Sequence, residues 1–178
     1  MKRVLGTIML FLAIFFLIWM FSPQKYLLYP RKYSTYVQRY SQLYRVDENL
    51  IYAVIKAESG FFPYATSSKK ARGLMQITEP TLEWIKTKID VDSDNLYDVE
   101  TNIRLGTWYL SNLSERFGDT DLVIIAYNAG PSKTQEWIRE GRISLDRSTP
   151  WDIPYPETKN YIVKVKNNYE NYNRYYKK

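Results

Sequence analysis

The chain has 178 residues, of which 25% are charged, and a formal net charge of +6. It contains no cysteine and no histidine, which excludes a disulfide framework, thiol and imidazole nucleophiles and ordinary zinc sites. Carboxylates, tyrosines, serines, lysines and amides remain for chemistry, and only oxygen ligands could hold a metal. The positive charge suits an anionic polymer such as nucleic acid, phospholipid or an anionic cell wall.

The N-terminal segment is uncharged from residue 4 to residue 21 and follows Lys2 and Arg3. At helical rise this run reaches about 27 Å, close to the hydrocarbon thickness of a bilayer. A cleaved signal peptide is the alternative, but no small-x-small cleavage site follows and no cysteine is present for a lipid anchor. We therefore expect residues 1–21 to form a cytoplasmic tip and one uncleaved membrane anchor, with the remaining chain outside the cytoplasm. That topology argues against nucleic acid as a partner.

The rest of the chain is predicted to be a linker followed by one all-α domain. Residues 22–32 contain Pro23 and Pro30 and are expected to form the linker. Residues 33–178 are expected to form the domain, with at most a small β-hairpin between residues 142 and 151. The apolar periodicity predicts helices at residues 33–45, 47–58, 79–89, 98–117, 122–128, 131–140 and 156–175.

Polar residues that can cap the first turn precede several of these helices. The candidate N-caps are Asp47, Thr78, Asp98 and either Thr120 or Asp121. Asp98 also ends an acidic segment, residues 90–98, that is similar to the start of a calcium loop. Asn95 replaces the central glycine and Thr101 replaces the bidentate glutamate. We therefore interpret the segment as a solvated loop, and we expect no metal.

Glu58 ends an apolar helical pattern and shares one helix face with Ile51, Val54 and Ile55. That face should point into the protein, where burial favours the protonated form of a carboxyl group. A carboxylic acid that is protonated near neutral pH can donate a proton to a leaving group. The alternative is a structural glutamate whose charge is satisfied by the backbone or by a basic partner.

Other polar side chains have both a functional and a structural interpretation. Gln76 offers a donor and an acceptor that fit an acetamido group, or it is a capping or surface amide. The Tyr127 hydroxyl can reach a carboxyl group or a substrate carbonyl. Glu157 lies in the first turn of the last predicted helix, where the helix dipole favours an acid in any case.

Four motifs follow one another along the chain. They are Glu58-Ser-Gly-Phe61, Gly73-Leu-Met-Gln76, Ala126-Tyr-Asn-Ala-Gly-Pro131 and Pro156-Glu-Thr-Lys-Asn-Tyr-Ile-Val163. In this order they resemble the catalytic domain of the soluble lytic transglycosylase family, over about residues 47–165. The resemblance implies a lysozyme-like helical fold and cleavage of peptidoglycan glycan strands.

The resemblance also implies roles for individual residues. Glu58 matches the single catalytic acid, which protonates the glycosidic oxygen and later acts as a base. Ser67, Gln76 and Tyr127 match positions that hold the N-acetyl group of muramic acid and orient the acid, and Glu157 matches a position that lines the same cleft. The implied reaction needs no metal or cofactor and leaves a 1,6-anhydro-muramic end.

Two other functions remain open at this point. A muramidase similar to goose-type lysozyme would hydrolyse the same bond, for which it needs a second carboxylate or a positioned water opposite Glu58. A non-enzymatic, membrane-anchored module would only bind the cell wall. In each case the expected partners are peptidoglycan strands and, through residues 4–21, the bacterial cell membrane.

Overall fold

The computed structural model describes residues 2–21, 27–144 and 151–176. The chain divides into two compact units, Met1–Arg31 and Lys32–Lys178. In the first unit, helix α1 spans Lys2–Phe21. Among the described residues, no helix combines the length and the apolar character that crossing a membrane requires.

The second unit is helical, as predicted. Its helices are α2 Ser34–Tyr44, α3 Glu48–Glu58, α4 Glu79–Lys86, α5 Val99–Phe117, α6 Thr120–Ala129, α7 Pro131–Arg139 and α8 Pro156–Tyr176. Within the described ranges, β-structure is confined to two isolated antiparallel bridges, which pair Arg72 with Thr66 and with Ile77. Residues 145–150, the middle of the predicted hairpin, lie outside the described residues.

Three of the predicted N-caps are confirmed. The side chains of Asp47, Thr78 and Asp98 accept hydrogen bonds from backbone N–H groups in the first turn of α3, α4 and α5. The prediction for α6 was wrong, because Asp119 is the cap and its carboxylate accepts from the N–H groups of residues 121 and 122 at 2.9 and 3.1 Å. Asp119, Thr120 and Asp121 all have side chains that can cap a helix, so the sequence pattern does not separate them. In the structure Asp119 has an extended backbone and the helix begins at Thr120.

Helix α4 is shorter than predicted, since it ends at Lys86 rather than at residue 89. The hydroxyl of Thr87 donates to the carbonyl of Trp84 at 2.7 Å. This bond satisfies one of the terminal carbonyls of the helix.

Helix α3 lies in the core and is buried over nearly its whole length. Helix α8 packs along it more extensively than along any other described helix. Two hydrogen bonds fix an antiparallel arrangement: Asn168 donates to the carbonyl of Ala53 at 3.3 Å, and Asn49 donates to Asn173 at 2.8 Å. The start of α8 is therefore brought to the end of α3, where Glu58 lies.

The buried side chain of Asn102, on α5, holds the turn that precedes Gln76. Its oxygen accepts from the N–H of Met75 at 2.7 Å, and its nitrogen donates to the carbonyls of Arg72 and Leu96 at 2.9 and 2.8 Å. Gly73 lies in this turn with φ +80°, and a Cβ atom there would lie 2.2 Å from the carbonyl oxygen of Leu96. Only glycine fits both the backbone angle and the space.

Candidate active site

A cleft of about 560 Å³ runs past the end of α3, the segment before α4, the junction of α6 and α7 and the start of α8. Its lining includes every site residue predicted from the sequence: Glu58, Ser67, Gln76, Tyr127 and Glu157. The fold thus brings together residues that lie far apart along the chain. A cleft with a few convergent polar groups is the usual form of a small-ligand site.

Glu58 is the last residue of α3 and is mostly buried at the wall of the cleft. Burial raises its pKa from an ordinary 4.5 to about 7. A hydrogen bond from Tyr161 and the positive charge of Lys164 act in the opposite direction, and the negative charge of Glu157 raises the pKa further. Burial is the largest of these effects, and the resulting pKa of about 7 means that a substantial fraction of Glu58 is protonated at neutral pH.

Tyr161 orients this carboxyl group. Its hydroxyl donates a hydrogen bond of 2.7 Å to Oε1 of Glu58. The tyrosine itself is buried, which raises its pKa well above 10, so the hydroxyl keeps its proton. No role was predicted for Tyr161 from the sequence. Its position in the fourth motif was the signal that could have identified it.

Tyr127 and Gln76 are bound to the backbone of the segment before α4. The hydroxyl of Tyr127 donates to the carbonyl of Met75 at 2.8 Å. The side-chain nitrogen of Gln76 donates to the carbonyls of Gly73 and Ala65 at 2.8 and 3.2 Å. Both N–H bonds of the amide are then in use, so its oxygen is the part that can accept a hydrogen bond from a ligand. Gln76 has a left-handed φ of 52°, an angle that is uncommon for residues other than glycine.

Ser67 and Glu157 lie at the exposed edge of the cleft. The hydroxyl oxygen of Ser67 accepts from the N–H of Ala71 at 3.1 Å, which leaves its proton for donation. Glu157 accepts a hydrogen bond of 2.8 Å from Lys69, another residue that lines the cleft. Both side chains of this ion pair are more than half exposed, so it adds at most about 1 kcal/mol to stability.

The chemistry available to the cleft is proton transfer and hydrogen bonding. Among the described lining residues, the carboxylates are Glu58 and Glu157. Glu157 is paired with Lys69. No cluster of three acidic side chains that could hold a metal occurs in the part of the chain that the structure describes.

Comparison with known proteins gives consistent matches. The family model described as "Transglycosylase SLT domain" matches residues 35–148. The membrane-bound lytic murein transglycosylase C of Yersinia pestis (strain Pestoides F) is 31% identical over 157 residues, which cover 74% of this chain and 44% of that protein. The protein of the same name from Yersinia pseudotuberculosis serotype O:1b gives the same values. The chain thus spans less than half the length of these relatives.

Solved structures agree with this result. An inactive mutant of lytic transglycosylase Slt from Pseudomonas aeruginosa matches with a TM-score of 0.71 at 27% identity, over 84% of this chain and 25% of that one. The 70 kDa soluble lytic transglycosylase of Escherichia coli matches with a TM-score of 0.69 at 27% identity, over 83% and 25%. The chain therefore shares its fold with part of each of these solved structures.

Proposed function

The chain belongs to the transglycosylase SLT domain family, and from this membership we propose that it cleaves peptidoglycan without hydrolysis. The bond is the β-1,4 linkage between N-acetylmuramic acid and N-acetylglucosamine. The Yersinia relatives of the chain are named lytic murein transglycosylases, and one solved relative is a complex with bulgecin A. The observation that carries the proposal is Glu58, a carboxyl group with a pKa of about 7 in the wall of the cleft.

In the first step Glu58 acts as a general acid. Its proton passes to the glycosidic oxygen as the bond from that oxygen to C1 of muramic acid breaks. The oxygen of the N-acetyl group bonds to C1 and stabilises the cationic centre, as in other substrate-assisted glycosidases. Glu58 is left as a carboxylate, and the hydrogen bond from Tyr161 stabilises that charge.

In the second step the same carboxylate acts as a base. It takes the proton of the C6 hydroxyl while O6 bonds to C1 and displaces the acetamido oxygen. The product carries a 1,6-anhydro ring, and Glu58 returns to its protonated form. No water is consumed. One carboxyl group serves both steps because it gives up its proton in the first step and takes one back in the second.

The remaining site residues bind and position the sugar. The amide oxygen of Gln76 accepts a hydrogen bond from the N–H of the N-acetyl group, and the Ser67 hydroxyl donates to the same sugar. Tyr127 supports Gln76 indirectly, since it holds the carbonyl of the preceding residue. Glu157 lines the cleft and accepts a hydrogen bond from Lys69, which lines it too.

The test is digestion of purified sacculi, with mass spectrometry of the released chain ends. We expect 1,6-anhydro-muramic ends from the unmodified chain and no release by Glu58→Gln. Glu170→Gln, the same substitution at an exposed position of α8, is the matched control and should retain activity. Reducing muramic ends would favour the muramidase, and lysis by Glu58→Gln would refute the role of this residue. Wall binding without any lysis would favour the non-enzymatic module.

We further propose that residues 1–21 hold the protein in the bacterial cell membrane as a single-pass anchor, with residues 22–32 as a linker and residues 33–178 as an extracytoplasmic domain. The uncharged run after Lys2 and Arg3 supports the anchor, as does the name "membrane-bound" of the Yersinia relatives.

Alkaline extraction of membranes tests the anchor, because it removes proteins that do not cross the bilayer. The full chain should stay in the pellet. Leu12→Arg combined with Phe15→Arg should release it, since each arginine near the centre of a span costs about 2.5–3.5 kcal/mol. Val163→Arg, at an exposed apolar position of α8, should stay in the pellet. Release of the unmodified chain would contradict the anchor.

A further inference from the structure

A second, apolar cavity of about 250 Å³ adjoins the cleft. Its lining is Pro80, Thr81, Trp84, Tyr109 and Pro131. Thr81 and Tyr109 also line the cleft that contains Glu58, so the two cavities share a wall. The lining residues of the second cavity carry no charge, in contrast to the first.

Aromatic side chains form a continuous path from the cleft into this cavity. The ring centroids of Tyr127 and Tyr109 are 5.3 Å apart, those of Tyr109 and Trp84 are 5.9 Å apart, and those of Trp84 and Trp108 are 5.4 Å apart. Trp84 is nevertheless 38% exposed. Part of a large aromatic surface thus remains open beside a polar cleft.

The walls of the cavity are built from packed aromatic rings and from prolines. Trp84 projects from α4 and rests against two aromatic residues of α5, Trp108 and Tyr109. Pro80 and Pro131 start two helices and have a fixed φ, so their rings form stable walls. A ligand that enters this cavity finds its contact surface already formed, which lowers the entropic cost of binding.

We propose that this cavity is an additional saccharide subsite, in which Trp84 stacks on a sugar ring of the same glycan strand. The C–H groups on one face of a pyranose ring pack against the electron-rich face of an aromatic ring. Thr81 and Tyr109 line both cavities and are the hydroxyl-bearing residues of the second one. The Thr81 hydroxyl already shares a hydrogen bond of 2.8 Å with that of Thr78, so the contact expected in this cavity is mainly apolar. A stem peptide fits less well, because its charged groups would lose hydration against an uncharged lining.

This subsite rests on the proposed function, since it extends the same glycan-binding cleft. Its specific consequence is a dependence on strand length. A fragment that fills only the cleft does not reach Trp84, whereas a longer strand gains the stacking contact. One aromatic contact of this kind changes affinity by about tenfold.

The test measures binding by calorimetry with the full chain in detergent, on a Glu58→Gln background that stops turnover. The ligands are peptide-free glycan strands of defined lengths. We expect Trp84→Leu, which keeps an apolar side chain but removes the aromatic face, to weaken binding of long strands about tenfold. The Glu58→Gln protein without further change is the parent. The affinity for the shortest fragment that binds measurably to this parent should not change. Tyr64→Ala, an exposed aromatic residue outside both cavities, should leave every affinity unchanged.

Several results would overturn the subsite. If Trp84→Leu matches its parent at every length, or weakens short and long strands equally, Trp84 makes no length-dependent contact, and the proposed function is unaffected. If the loss appears only with strands that carry stem peptides, the cavity binds peptide. If the parent binds no strand of any length, the subsite and the proposed function fail together.

Discussion

Replacement of Glu58 by glutamine should change how the stability of the domain depends on pH. The folded protein holds the Glu58 proton with a pKa of about 7, against an ordinary value of 4.5. Because folding raises this pKa, the protonated carboxyl contributes stability that is complete below the unfolded value and is lost as the pH rises through about 7. Each pKa unit corresponds to about 1.4 kcal/mol, so the full loss is about 3 kcal/mol.

Glutamine resembles the protonated carboxyl group but cannot ionise. Its side-chain oxygen can still accept the hydrogen bond that Tyr161 donates to Glu58. The unmodified protein should therefore lose about 3 kcal/mol of unfolding free energy relative to Glu58→Gln between about pH 4 and pH 9. For a chain of this size the loss corresponds to a relative decrease in Tm of about 6–12 °C.

Thermal unfolding of both proteins, followed by circular dichroism across this pH range, measures the difference directly. Other titrating groups cancel in the comparison, because they are common to both proteins. Glu170→Gln, which changes an exposed carboxyl of α8, should show no such pH-dependent difference. A difference between Glu58→Gln and the unmodified protein that stays constant from acid to alkaline pH would refute the claim that burial keeps this carboxyl protonated.

Three more substitutions and one control test how the site is built. Tyr161→Phe removes a hydrogen bond that lowers the pKa of Glu58, so the alkaline limb of the lytic rate against pH should move to higher pH; an unchanged or lowered limb would contradict this role. Gly73→Ala should cost more than about 2 kcal/mol in urea unfolding, because a left-handed backbone and a collision with the Leu96 carbonyl act together. Gly118→Ala, with φ +68° and open space, is its control and should cost about 1–2 kcal/mol. Asn102→Ala should cost about 3 kcal/mol by the same measurement, since it leaves buried backbone groups unpaired; a cost below about 1 kcal/mol would show that this side chain does not hold the turn.

The sequence was informative wherever the determining interactions are local. The apolar periodicity predicted α5 and α8 close to their observed bounds, and the caps at Asp47 and Asp98 were readable because a capping side chain binds an N–H group only a few residues away. Local patterns also have limits. They do not separate Asp119 from its polar neighbours at the start of α6, and they extend α4 beyond Lys86.

The sequence also identified Glu58 as a carboxyl group on a buried helix face, because the spacing of apolar residues defines that face. The environment of this carboxyl group was decided by tertiary structure. Tyr161 reaches it only because α8 packs antiparallel to α3, and the turn before Gln76 has its shape because Asn102 on α5 holds it. Likewise, Trp84 was one aromatic residue among many until its position beside Tyr109 placed it next to the cleft. Periodicity reports which face of a helix is buried, whereas the partners on that face depend on how the helices pack, and those contacts join residues that the sequence leaves far apart.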